Sequence, residues 1–257
     1  MLEQLFQAAA EDSLERERTV PRKELEAKAQ LVAAAPSAYS ALAKADHIKL
    51  IAEIKRASPS RGNLAEIPDA AALGIEYQRF GANAISVLTE RTGFHGSLED
   101  LRSVSDAVQI PTLRKDFISN EYQILEAKVA GASMVLLILA HLSTADFVRL
   151  FNFAHSIGLE VLVETHSESE IEQAAAAGSR LIGINTRDLK TFKTDLGLFE
   201  RMANLLPEES IKVAESSVKS IEDVVRYRSA GADVVLVGEA LVTGDYETLI
   251  PQIVSVS

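Results

Sequence analysis

The sequence predicts an α/β protein, a (β/α)8 TIM barrel with an N-terminal helical extension, and three observations carry that expectation. A short run of Val, Ile and Leu followed by a charged, helix-like stretch recurs along the chain. The unit occurs eight times, and eight parallel strands close a barrel. The chain has 257 residues, close to the length of about 250 typical of one such barrel. Residues 1–257 therefore read as a single (β/α)8-barrel domain, large enough to bury a core without disulfides or metals. An open doubly wound sheet satisfies the same count, because counting strands does not prove closure.

Residues 1–46 precede the first strand and read as helices: LEQLFQAAAEDSLERER, then PRKELEAKAQLVAAA, then SAYSALAKA, punctuated by Pro21 and Pro36. A barrel does not need them to close, so they are expected to cap one end or to shape the site. The strands follow as IKLIAEI (48–54), AISVL (84–88), PTLRK (111–115), MVLLIL (134–139), EVLVE (160–164), RLIGIN (180–185), IKVAE (211–215) and DVVLVG (233–238). Continuous apolar strands imply that both faces are covered, as in a parallel sheet wrapped by helices. Asp69, Asn120 and Ser167 stand where helix N-caps belong. The glycines of GANAIS, GASMVL and GADVVL fit helix C-termini just before the next strand.

Charged residues interrupt this apolar pattern at its ends. Side chains two apart share a strand face, so Glu53 and Lys55 point the same way as Ile51. An unpaired buried charge costs several kcal/mol. The tolerable place for such residues is the top of the barrel interior, where the strand meets a ligand cavity. Lys115 ends the third strand, Glu164 the fifth and Glu215 the seventh, and Asn185 and Arg187 follow the sixth. Any one of these is an ordinary residue at a strand-to-loop boundary. Their repetition, mixing acids with bases, points to the rim where active sites of this fold lie and to proton chemistry between groups of separated pKa.

Loops AESSVKS (214–220) and VGEALV (237–242) stand after strands seven and eight, where this fold usually binds phosphate on N–H groups. Ser216, Ser217 and Gly238 are the candidate donors there, although Ser and Gly at helix starts often only cap. The formal net charge of -11 argues against broad nucleic-acid binding. There are no cysteines, which removes disulfides and thiolate chemistry. No apolar run is long enough to span a membrane. The charged N-terminus is wrong for a secretory signal, so a cytoplasmic location is expected. The five histidines show no metal-ligand spacing and are expected on the surface or in the core. No strongly apolar exposed stripe stands out, so a monomer is expected.

The stretch from Glu53 through Ile54-Lys55-Arg56-Ala57-Ser58-Pro59-Ser60-Arg61-Gly62 resembles the signature of the indole-3-glycerol-phosphate synthase family of tryptophan biosynthesis. LRKDF (113–117), VLTE (87–90) with Phe94 and Gly96, VLLI (135–138), VET (163–165), INTRDL (184–189), AES (214–216) and LVG (236–238) recur in family order. The resemblance covers essentially the whole chain. It implies the substrate 1-(2-carboxyphenylamino)-1-deoxyribulose 5-phosphate, the products indole-3-glycerol phosphate, CO2 and water, and no metal or organic cofactor. It further implies that Lys115 is the general acid of ring closure and Glu164 the second acid–base group, with Glu53 and Lys55 also catalytic.

By the same resemblance, Asn185, Arg187 and Glu215 hold the substrate. Ser58 and Ser60 belong to a loop over it. Leu88, Phe94, Phe117 and Leu137 form an apolar pocket for the aromatic ring. Ser216, Ser217, Gly238 and Glu239 fall on the phosphate site. The chain departs from the family at Ser217, where Gly is usual, at Thr186, where Asn is frequent, and at Glu239, where some members have Ser. A Glu239 carboxylate would repel phosphate unless it turns outward. Two other readings are a Schiff-base aldolase working through Lys115 or Lys55, and a non-catalytic phosphosugar-binding protein. Contact with other tryptophan-pathway enzymes is left open.

Overall fold

The computed structural model describes residues 2–187 and 194–257. The last two residues of INTRDL, Asp188 and Leu189, lie outside them. Eight parallel strands form a closed barrel: β1 (Lys49–Ile54), β2 (Ala84–Leu88), β3 (Thr112–Lys115), β4 (Met134–Ile138), β5 (Glu160–Thr165), β6 (Leu181–Asn185), β7 (Ile211–Glu215) and β8 (Val234–Val237). Closure is made by β1, which pairs with β2 through Ile51↔Ala84 and with β8 through Lys49↔Val234. An open sheet is thereby excluded.

The strands are apolar on both faces because each face meets a different partner. Leu50, Ala52 and Ile54 pack outward among the helices with Ile85, Val135 and Val161. Ile51 packs inward with Leu113, Leu136, Leu162 and Val213. Helices α4 (Ala70–Phe80), α6 (Glu121–Val129) and α8 (Glu168–Ala176) start at Asp69, Asn120 and Ser167, whose side chains accept backbone N–H bonds. Gly81, Gly131 and Gly231 take positive φ at the turns into β2, β4 and β8, a conformation glycine adopts without steric cost.

The N-terminal segment forms α1 (Leu2–Thr19), α2 (Arg22–Leu31) and a single turn, α3 (Ala38–Ala41). Both α2 and α3 are shorter than the sequence suggested. The chain turns extended at Val32, four residues ahead of Pro36. The segment serves both ends of the barrel. At the carboxyl rim, Phe6 of α1 meets Phe117 edge-on at 5.3 Å and stacks on His141 at 3.7 Å. At the opposite end, the Tyr39 N–H of α3 donates to Glu160 at 2.7 Å, and Arg180 covers the Tyr39 ring. Among the described residues, no helix is long and apolar enough to cross a membrane.

One buried polar network fixes α1 and the rim of β3. Arg114, fully buried, points outward from β3. It donates to Asp116 at 2.9 Å, to Glu126 of α6 at 3.2 Å and to the Gln123 carbonyl. Arg16 of α1 holds the other side of Glu126. Removing one member of such a network leaves buried charge uncompensated, at about 3–5 kcal/mol. Arg114→Ala is therefore expected to lower unfolding stability by that amount in urea denaturation. A loss below about 1 kcal/mol would show that water reaches both carboxylates.

Candidate active site

Alternation along each strand delivers the rim. Ile51 is inside β1, so Glu53 and, one step beyond the strand, Lys55 follow it inward. The same parity carries Lys115 in above Leu113, Glu164 above Leu162 and Glu215 above Val213. Asn185 lies two past Gly183 on β6. All of them, with Arg187, line one cavity of about 380 Å³. Glu53, Glu164 and Glu215 are 4%, 0% and 1% exposed. Space for two of these carboxylates depends on missing Cβ atoms. A Cβ on Gly183 would fall 2.0 Å from Glu215 Oε1, and one on Gly238 2.3 Å from Glu53 Oε1.

Lys55 Nζ pairs with Glu53 Oε1 at 2.7 Å. Lys115 Nζ stands 3.5 Å from Glu164 Oε2 and 3.9 Å from Glu215 Oε2. Burial disfavours the Lys115 ammonium, but the charges of Glu164, Glu215 and Glu53 outweigh it and raise its pKa. Burial likewise opposes the charge on Glu53 and Glu164. For Glu53, the Lys55 and Lys115 cations prevail and lower its pKa. For Glu164, Lys115, His166 and the Asn185 amide, which donates at 3.0 Å, do the same. Glu215 goes the other way: burial and the like charge of Glu164 push it well above its ordinary value. The cavity thus sets two carboxylates whose pKa values are shifted in opposite directions beside one lysine.

Leu88, Phe94 and Phe117 form an apolar wall. The turn carrying Phe94 is wound on Glu90, whose carboxylate accepts the N–H groups of Thr92, Gly93 and Phe94 at 2.7–3.0 Å. Leu137 does not belong to this wall. It packs outward among the helices, and its neighbours Leu136 and Ile138 face the cavity instead. The register Ile138↔Glu164 sets Ile138 level with an inward residue. Leu2 and Leu5 of α1 complete the wall. Sequence reasoning also missed His166, whose Nε2 lies 3.4 Å from Glu164 Oε1; its position two past Glu164 was the available signal.

The loop after β1 closes on itself as a two-residue antiparallel pairing, Ala57↔Asn63 and Ser58↔Gly62. Arg56 anchors it through a bidentate pair with Asp100 at 2.7 and 2.9 Å. Ser58 lines the cavity, its hydroxyl unpaired among the described residues. Ser60 is exposed and lies 3.4 Å from Arg187.

Ser216 and Ser217, with φ of 69° and 72°, both lie in the left-handed region, which costs a non-glycine residue about 1–2 kcal/mol. Their hydroxyls are not free for a ligand. Ser216 donates to Asn185 Oδ1 at 2.8 Å, and Ser217 Oγ lies 2.7 Å from Thr186 Oγ1. The expectation of free hydroxyl donors is thereby corrected, and the backbone N–H groups are the other donors these two residues carry. The Glu239 carboxylate is drawn to Arg61 at 2.9 Å.

A family model described as Indole-3-glycerol phosphate synthase matches residues 2–252. The chain is 51% identical to the indole-3-glycerol phosphate synthase of Leifsonia xyli over 95% of this chain and 94% of that one. It is 46% identical to indole-3-glycerol phosphate synthase 1 of Streptomyces coelicolor over 99% and 95%. A solved thiamine phosphate pyrophosphorylase from Pyrococcus furiosus superposes with a TM-score of 0.61 at 13% identity, covering 80% of this chain and 93% of that one, which supports the fold alone. With its closed barrel, its charged rim and these relatives, the chain belongs to the indole-3-glycerol phosphate synthase family, carboxy-lyases of tryptophan biosynthesis.

Proposed function

We propose that the rim cavity closes the indole ring of 1-(2-carboxyphenylamino)-1-deoxyribulose 5-phosphate, with Lys115 as proton donor. The observation that carries this is Lys115 Nζ set 3.5 Å from Glu164 and 3.9 Å from Glu215 inside the cavity, with its ammonium favoured by their charges. In the reaction, the arene carbon bearing the carboxylate attacks the ketone, whose oxygen takes a proton. Loss of CO2 and then of water, with a proton from the ring carbons, leaves the indole. An ammonium at the ketone oxygen supplies the first proton and stabilises developing negative charge. Glu164, ionised and oriented by Asn185, is suited to take protons during dehydration. Glu53 and Lys55 support the charge balance, and Lys55 also offers a cation to an anionic group of the substrate.

The apolar wall of Leu88, Phe94 and Phe117, with Leu136 and Ile138 in place of Leu137, suits the aromatic ring. Asn185, Arg187 and Glu215 suit the carboxylate and sugar hydroxyls, with Ser58 and Ser60 on the loop above. The backbone of Ser216, Ser217, Gly238 and Glu239 suits the phosphate, with the Glu239 side chain held aside by Arg61. A Schiff-base reading needs an uncharged lysine, which the carboxylates around Lys115 oppose. The reading treats residues 1–257 as one domain, a cytoplasmic monomer whose segment 1–46 completes the site.

Lys115→Ala is expected to lower turnover by at least about 100-fold while substrate binding largely survives. Indole fluorescence on adding substrate, without metal or nicotinamide, reads the rate. Near-normal turnover would remove Lys115 from the acid role.

A second expectation concerns pH. Glu215 is raised in the fold, so the folded chain keeps a proton that the unfolded chain releases above about pH 4.3. That stabilising contribution is present below this pH and is lost as pH rises through the folded value, at about 1.4 kcal/mol per pH unit. Glu215→Gln mimics the protonated group. Its melting-temperature advantage over the parent chain should grow as the pH rises above about 5. A difference that stays flat would mean that Glu215 is ionised in the fold.

A further inference from the structure

We propose that Thr186, which does not line the cavity, is a positioning residue that locks the loop after β7 for an anionic group of the ligand. The proposal rests on reading that loop as the phosphate seat. Ser216 and Ser217 are consecutive non-glycine residues at positive φ. Such conformations persist only where the surroundings over-determine them. Here the determinants are the two residues at the end of β6. Ser216 is tied to Asn185 at 2.8 Å and Ser217 to Thr186 at 2.7 Å.

The direction of the second bond follows from donor counting. Thr186 Oγ1 lies 3.1 Å from the Glu215 carbonyl, which can only accept. The Thr186 hydroxyl has one proton, and it goes there. Ser217 is then the donor to Thr186. Thr186 is 1% exposed, and the buried Tyr227 hydroxyl of α10 (Ile221–Ser229) lies 3.5 Å behind it. The lock therefore sits beneath the loop, on the helix side, and acts only through the backbone it holds. A glycine at position 217 would adopt the same φ without steric cost and would need no lock. Thr186 and Ser217 are thus two halves of one device, and each matters only in the presence of the other.

Titration calorimetry with inorganic phosphate separates the possibilities. Ser217→Ala deletes the hydroxyl and keeps the strained Cβ, whereas Ser217→Gly deletes both. Ser217→Ala and Thr186→Val are each expected to weaken phosphate about fivefold or more, the size of one lost hydrogen bond. Ser217→Gly and the conservative Thr186→Ser should stay within about twofold of the parent chain. Thr186→Val made in the Ser217→Gly background should add no further loss. Equal weakening by Ser217→Gly and Ser217→Ala would show that the hydroxyl itself contacts the anion and would overturn the proposal. So would unchanged affinity in Thr186→Val. If the parent chain binds no phosphate, the phosphate reading falls, and the lock is decided by melting temperatures. It stands if the destabilisation by Thr186→Val disappears in the Ser217→Gly background, and falls if the two changes add.

Discussion

Three carboxylates and two lysines, all largely buried, meet in one cavity, and the barrel around them is arranged to keep that charge tolerable. A buried ion costs several kcal/mol unless charges and hydrogen bonds offset it. Each group meets that cost differently. Glu53 has the Lys55 ammonium at 2.7 Å. Glu164 has an amide donor from Asn185 and the nearby Lys115. Among the described residues no hydrogen bond is made to either Glu215 carboxyl oxygen, and burial with the like charge of Glu164 raises its pKa well above the ordinary value. Proton chemistry becomes available because these solutions differ: like groups in unlike surroundings separate into acid and base.

The cluster also dictates what the nearby residues can be. Below it the barrel interior is filled by apolar side chains such as Ile51, Leu113, Leu162 and Val213, so charge is confined to the last inward layer. Gly183 and Gly238 lie at that level because a Cβ at either place would overlap a carboxylate. The outer layer contributes as well. Arg114, one residue before Lys115 and on the opposite face, binds Asp116 and Glu126. Through Asp116, which accepts the Phe117 N–H at 2.8 Å, it fixes both the lysine backbone and the aromatic wall.

The barrel and its charged rim were legible in the sequence because both follow from period-two parity. Glu53 and Lys55 share parity with Ile51, and no folding detail can separate them. Parity gave no check on Leu137, which the resemblance placed in the pocket and the structure turns outward. In MVLLIL every position is apolar, so the sequence carries no alternation from which a face can be read. Only the register against β5, where Ile138 stands level with Glu164, decides it. Hydroxyl directions were hidden for another reason. Ser216 and Ser217 look like donors for a ligand, yet their targets, Asn185 and Thr186, are some thirty residues away in sequence and become neighbours only when β6 and β7 pair through Asn185↔Glu215. The N-terminal helices were expected to cap one end or to shape the site, but Leu2 and Leu5 were not singled out, because the sequence of a helix does not say which part of the barrel it meets.

That pairing of β6 with β7 joins the two ends of the cavity. Asn185 donates its amide N–H to Glu164, and its carbonyl oxygen accepts from both the Ser216 hydroxyl and the Arg187 N–H. One side chain is therefore shared between Glu164, proposed to move protons, and the loop proposed for phosphate. An amide is suited to this because it donates and accepts at once, whereas a carboxylate at 185 would repel Glu164 and a hydrocarbon would leave both neighbours unsatisfied. If the loop holds phosphate and Glu164 takes protons, as proposed, this one planar amide links the grip on one end of a substrate to the orientation of the base at the other.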